Sequence, residues 1–121
     1  MRLEGEADAL PVVVKTITPE QLRDYARASG DHNPLHLDPE FAAGTPFGGI
    51  IAHGMLTLGF VSELMANQFG RAWLESGSLK VKFVGAAYLG DQVEAWGRVT
   101  RSEQGPDGTL TVCAVGVRNR Q

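Results

Sequence analysis

Cysteine is almost absent from this sequence: Cys113 is the only one. A single thiol closes no intrachain disulfide and cannot supply a multi-cysteine zinc site, which fits a reducing compartment. Excess basic charge is missing too, since 11 Lys and Arg stand against 14 Asp and Glu, an unpromising balance for a nucleic-acid module built on a basic face. No apolar run approaches the roughly 18 residues that a membrane span requires. The acidic opening, Met1-Arg2-Leu3-Glu4-Gly5-Glu6, lacks the apolar core of a secretion signal. These absences predict a cytoplasmic protein with neither nucleic acid nor membrane as partner. What is present is ordinary for a globular chain: 121 residues, 43% hydrophobic and 21% charged, enough apolar surface for one core and a single domain over residues 1–121.

Charge is unevenly placed, with four basic and nine acidic groups in residues 1–70 and seven and five in residues 71–121. An anionic ligand would therefore put its charged end nearer the second half, although solvated surface charge explains the same numbers. Leu10–Ile17 is rich in β-branched residues and reads as a strand. Thr18-Pro19-Glu20-Gln21 then supplies an N-cap hydroxyl, a proline at the first helical position and a glutamine three residues after the cap, so a helix is predicted from Pro19 to about Ala28, closed by Gly30.

From Gly30 to Gly49 the chain is punctuated by Asn33-Pro34, Asp38-Pro39, Thr45-Pro46 and Gly48-Gly49. This spells a long loop with a short helical turn at Pro39–Ala43, and loops of that length are usually functional. His53 to about Phe69 has helical length with apolar residues around most of its circumference, the mark of a buried helix. Beyond it Leu79, Val81 and Phe83 alternate with Lys80 and Lys82, and Val93, Ala95 and Val99 alternate with polar residues, the period of half-exposed strands. Gly105-Pro106-Asp107-Gly108 is a turn sequence, so the last two strands should form a hairpin. Helices and strands segregated in this way predict an α+β fold, an antiparallel sheet wrapped against one central helix.

The loop concentrates titratable groups. Asp31 and His36 stand five apart with Asn33-Pro34 between them, and an Asn-Pro turn can fold carboxylate and imidazole toward one point as a general acid/base pair. Spacing alone leaves open, and favours, the plainer alternative that Asp31 caps a turn and His36 is a satisfied loop histidine. A metal set of His32 and His36 with Asp31, Asp38 or His53 is weakened by Pro34, which breaks the helical geometry that an i, i+4 pair needs. Where the loop enters the buried helix, Ile51-Ala52-His53-Gly54-Met55 places unpaired N–H groups and the positive end of a helix dipole, suited to negative charge developing on an oxygen. Gly48, Gly49 and Gly54 could also serve turn and packing geometry alone.

The string from Tyr25 to Ala42, containing Ser29-Gly30-Asp31-His32-Asn33-Pro34-Leu35-His36-Leu37-Asp38, followed by Thr45, Phe47 and Ile51-Ala52-His53-Gly54-Met55, resembles the MaoC-like (R)-specific enoyl-CoA hydratases. The likeness continues less tightly through Leu79–Phe83 and Tyr88-Leu89-Gly90-Asp91. It implies a hot-dog fold and the hydration of trans-2-enoyl thioesters to (R)-3-hydroxyacyl thioesters, or the reverse dehydration. Asp31 and His36 would be catalytic, and Gly54 would offer its N–H to the thioester carbonyl. His53, Asn33 and Ser62 would help bind and organise the substrate, although a serine on a helix also bonds back to a carbonyl. No cofactor and no metal is implied, and the family's dimers suggest a homodimer acting on coenzyme A or acyl-carrier-protein thioesters.

One departure stands out. The family often has a basic residue and a proline after the phenylalanine of its first long strand, where this chain has Val84-Gly85-Ala86-Ala87. Lys80, Lys82, Arg71 or Arg98 would have to take over any contact to phosphate, or the acyl group would ride on a carrier protein. Two other activities compete: a thioesterase using Glu63, the one carboxylate of the central helix, and a binding module for acyl thioesters without catalysis.

Overall fold

The computed structural model describes residues 8–120, so the acidic stretch 1–6 lies outside the described residues. Strand β1 (Val13–Thr16) is followed by helix α1 (Pro19–Ser29), a 3₁₀ turn at Pro34–His36, the short helix α2 (Pro39–Ala43), the long helix α3 (Gly54–Phe69), helix α4 (Arg71–Ser76) and the long strands β2 (Gln92–Gly105) and β3 (Gly108–Asn119). The strands form one antiparallel sheet in the order β1-β2-β3.

Local chemistry sets the ends of α1. The Thr18 hydroxyl accepts from the Gln21 N–H at 3.2 Å, Pro19 opens the helix, and Gly30 ends it at φ 81°, where a side chain would be strained. β1 is shorter than the β-branched run suggests, but pairing extends past both its ends: Leu10 donates to the Gly97 carbonyl at 2.8 Å and Ile17 to that of Asp91 at 2.9 Å. The predicted hairpin is β2-β3, turning between Gly105 and Gly108.

Helix α3 lies on the sheet. Phe60, Val61, Leu64 and Met65 pack against Leu10, Val13, Val93 and Ala95, each fully buried side chain of this kind contributing about 1.5–3 kcal/mol. The helix approaches β2 closely at Gly97, where a Cβ would stand 3.0 Å from Leu10 Cδ1 and 3.1 Å from Leu64 Cδ2. Even a methyl would press on both leucines.

The strand predicted at Leu79–Phe83 does not form. The alternation is real, but a strand also needs a neighbouring edge in register, and this segment joins no ladder. Val81 and Phe83 are exposed, and Leu79 packs against the core. Helix α4, bracketed by Gly70 and Gly77, was not foreseen.

Candidate active site

The loop 30–38 is built from side chains that cap its own backbone. Asp31 Oδ1 accepts from the Asn33 N–H at 3.2 Å, and Asn33 Oδ1 accepts from the Leu35 N–H at 2.9 Å. Pro34 starts the 3₁₀ turn, which the His36 N–H closes on the Asn33 carbonyl at 3.0 Å. The turn swings His36 inward, where it is buried, while Asp31 stays exposed. Asp38 then caps α2 through the Glu40 and Phe41 N–H groups.

His36 Nδ1 lies 2.8 Å from the Ile51 carbonyl oxygen. A carbonyl only accepts, so Nδ1 carries the hydrogen and a neutral His36 presents its lone pair on Nε2. His53, just before α3, lies against the far side of the pair. Its Nε2 donates to the Asp31 carbonyl at 3.1 Å, its ring stacks on His36 with centroids 3.9 Å apart, and Tyr25 meets it edge-on at 4.8 Å. Burial pushes the His53 pKa below its ordinary value, the neighbouring His36 lowers it further, and the Asp31 carbonyl and carboxylate oppose both.

Donor atoms of Asp31, His36 and His53 lie within 4.8 Å of one another, and His32 is not among them. His36 Nδ1 and His53 Nε2 are already engaged by the Ile51 and Asp31 carbonyls, which leaves one nitrogen of each ring beside the Asp31 carboxylate, an arrangement able to exchange protons.

A cleft of about 390 Å³ opens beside His36, lined by Phe47, Ile51, Gly54, Thr57 and residues 83–87. Gly54, the first residue of α3, is exposed at its mouth, so its N–H has no partner within the helix. A Cβ there would meet Phe83 Cε1 at 3.2 Å. The Ser62 hydroxyl accepts from the Trp73 indole at 2.9 Å, joining α3 to α4. Glu63 pairs with Lys15 of β1 at 3.0 Å. A second cleft of about 340 Å³ separates β3 from the segment carrying Lys80 and Lys82, whereas Arg71 is bonded to Glu75.

The sequence does not show how several contributors meet. The Ile51 carbonyl acts through backbone, which any residue could supply. Tyr25 stands 28 positions before the histidine it touches. Phe47 and Phe83 become walls of one cleft only after folding, with the Tyr88 hydroxyl donating to the Phe47 carbonyl at 2.8 Å.

The MaoC like domain matches residues 6–118. Among characterised proteins, the chain is 35% identical over 99 residues to 3-hydroxyacyl-thioester dehydratase Z of Mycobacterium tuberculosis, covering 78% of this chain and 66% of that protein. It is 42% identical over 89 residues to the (R)-specific enoyl-CoA hydratase of Aeromonas caviae, covering 72% and 66%. The chain thus spans just under two thirds of the length of these relatives. The solved (R)-hydratase of A. caviae superposes with a TM-score of 0.73 at 30% identity over 91% of this chain and 82% of that one. An unliganded R-hydratase of Pseudomonas aeruginosa gives 0.72 at 30% identity, over 91% and 69%.

Proposed function

The chain belongs to the MaoC-like domain family, and on that premise we propose that it hydrates trans-2-enoyl thioesters to (R)-3-hydroxyacyl thioesters, or runs the reverse dehydration. The supporting observation is the placement of Asp31 and His36. A ring nitrogen and a carboxylate oxygen within 4.8 Å suit one water hydrogen-bonded to both at about 2.8 Å. Asp31 and His36 Nε2 orient that water and take a proton as its oxygen bonds to Cβ. The pair then returns a proton to Cα. Negative charge meanwhile grows on the thioester oxygen, which the Gly54 N–H and the start of α3 would stabilise, a single such donor being worth roughly 10²–10³ in rate.

Thioester hydrolysis has less support, since Lys15 holds the Glu63 carboxylate at 3.0 Å. Exposed Lys80 and Lys82 are the cations offered to the phosphates of a carrier. A homodimer is part of the same reading: β3 has no described strand on its outer side, and Val81, Phe83 and Val84 stand exposed on the segment beside it, Val84 at 86%. Light scattering would read two chains per particle. No described helix is long and apolar enough to cross a membrane, and with one half-buried thiol we place the protein in the cytoplasm.

The deciding experiment follows the ultraviolet signal of the conjugated enoyl thioester in crotonyl-CoA and in its carrier-protein counterpart, then determines the product's configuration. Loss of the signal with an (R)-3-hydroxy product supports the reading. An (S) product, or free thiol appearing in a dye assay without hydration, overturns it.

A further inference from the structure

His53 is among the largest fully buried side chains, 2% exposed. Its Nε2–H is spent on the Asp31 carbonyl, which leaves Nδ1 as an acceptor that meets no hydrogen-bond partner. An unpaired buried acceptor is unfavourable, and a hydrocarbon ring would fill the space without it. The histidine must therefore be kept for what the imidazole does on its other sides.

We propose that His53 is the positioning residue of the acid/base pair, fixing Asp31 through its main-chain carbonyl and His36 through ring stacking. The proposal rests on the hydration reading. Asp31 is exposed and its own side chain and N–H bond only to near neighbours in sequence, so the His53 N–H is what joins the Asp31 carbonyl to the entry of α3. His36 is held at its Nδ1 edge by Ile51 and on its face by His53. Both holds come from residues 51–53, which lead directly into Gly54. The spacing between proton-transfer groups and the Gly54 N–H is thus set within one short peptide. A buried, neutral His53 also adds no like charge when His36 takes a proton during turnover.

Three substitutions separate this role from packing. His53→Phe keeps a flat ring but has no N–H. His53→Asn carries its amide too near the backbone to reach Asp31. His53→Gln can place its amide N–H where Nε2 was. Misplacing reactive groups by about 1 Å costs on the order of 10² in rate, so His53→Phe and His53→Asn should lose about 10- to 100-fold in kcat with KM within about twofold. His53→Gln should recover about tenfold of that loss. Equal kcat in the Phe and Gln variants, or a loss confined to KM, refutes the proposal. Nitrogen-15 NMR of the imidazoles reads the geometry without turnover: wild-type His53 at neutral pH should be protonated on Nε2 and bare on Nδ1, and the opposite tautomer or an imidazolium overturns the proposal. A wild-type chain that hydrates no enoyl thioester sinks the hydration reading, whereas an active chain indifferent to the Phe and Gln difference sinks only the role given to His53.

Discussion

Asp31 and His36 should behave as one unit, and the structure gives each replacement its own stability signature. Asp31→Asn keeps an Oδ1 to accept from the Asn33 N–H, now at 3.2 Å, on an exposed side chain, so its folding free energy should move by less than about 0.5 kcal/mol, as exposed substitutions do. His36→Ala differs. It removes the donor that the Ile51 carbonyl receives at 2.8 Å and leaves a buried acceptor unpaired, which costs about 1–3 kcal/mol. Turnover should not follow that order. If both groups hold the same water, either loss leaves the other without an oriented proton, so both single variants and the double variant should each fall by at least about 10² in kcat. His32→Ala, next in sequence but outside the cluster, should cost far less and serves as the control. The assay is enoyl-thioester hydration with urea melts of each protein. Losses that multiply in the double variant would mean independent roles, and an unimpaired Asp31→Asn would remove this carboxylate from the mechanism.

Four shorter tests follow. Gly54→Val puts a branched side chain beside Phe83, 3.2 Å from the new Cβ, and should lower kcat far more than stability; normal turnover would refute the oxyanion role of this N–H. Gly97→Ala forces a methyl to within 3.0 Å of Leu10 and 3.1 Å of Leu64, so urea melts should show a loss of about 1–3 kcal/mol with kcat unchanged. Because burial lowers the His53 pKa from 6.5, the unfolded chain binds the extra proton first on acidification: stability should drop below about pH 6.5, by at most about 1.4 kcal/mol per pH unit, and level off below the folded value. Urea midpoints of wild type and His53→Gln, compared from pH 5 to 7.5, should therefore differ in slope, and parallel curves would count against it. Activity should survive exhaustive EDTA treatment, since the proposed chemistry uses only a carboxylate, an imidazole and backbone donors; loss restored by zinc would revive a metal reading.

Much of the molecule was legible because local chemistry decides it. Thr18, Pro19, Gln21 and Gly30 carry the ends of α1 in their side chains, and Asp38 with Pro39 does the same for α2. Asn33-Pro34 foretold the fold-back of His36, since the asparagine cap and the proline constrain the turn whatever surrounds it. Tertiary partners were not legible. Leu79–Phe83 has the period of a strand, but a periodic pattern does not name the edge it joins. Trp73 gives no hint that it bonds Ser62 on the preceding helix. His53 stands out in the sequence at the start of the buried helix and as a binding candidate, but its stacking on His36 and its bond to the Asp31 carbonyl appear only on folding.

The chemistry and the substrate walls rest on different kinds of support. Residues 50–52 pair with 87–89: Ala52 donates to the Ala87 carbonyl at 2.8 Å and Leu89 to that of Ile50 at 3.0 Å. The chain beyond joins the sheet where Gly90 donates to Ile17 at 2.8 Å and Ile17 to Asp91 at 2.9 Å. A continuous run of main-chain hydrogen bonds therefore leads from the sheet to the Ile51 carbonyl that orients His36. Phe83 and Val84 face the same cleft from a segment with no ladder. Proton transfer is sensitive to small displacements, whereas an apolar wall needs only to exclude water and can conform to its occupant. Under the hydration reading, substitutions at Phe83 should therefore change which acyl groups are accepted more than how fast a bound one reacts, while changes at residues 50–54 should act on the rate.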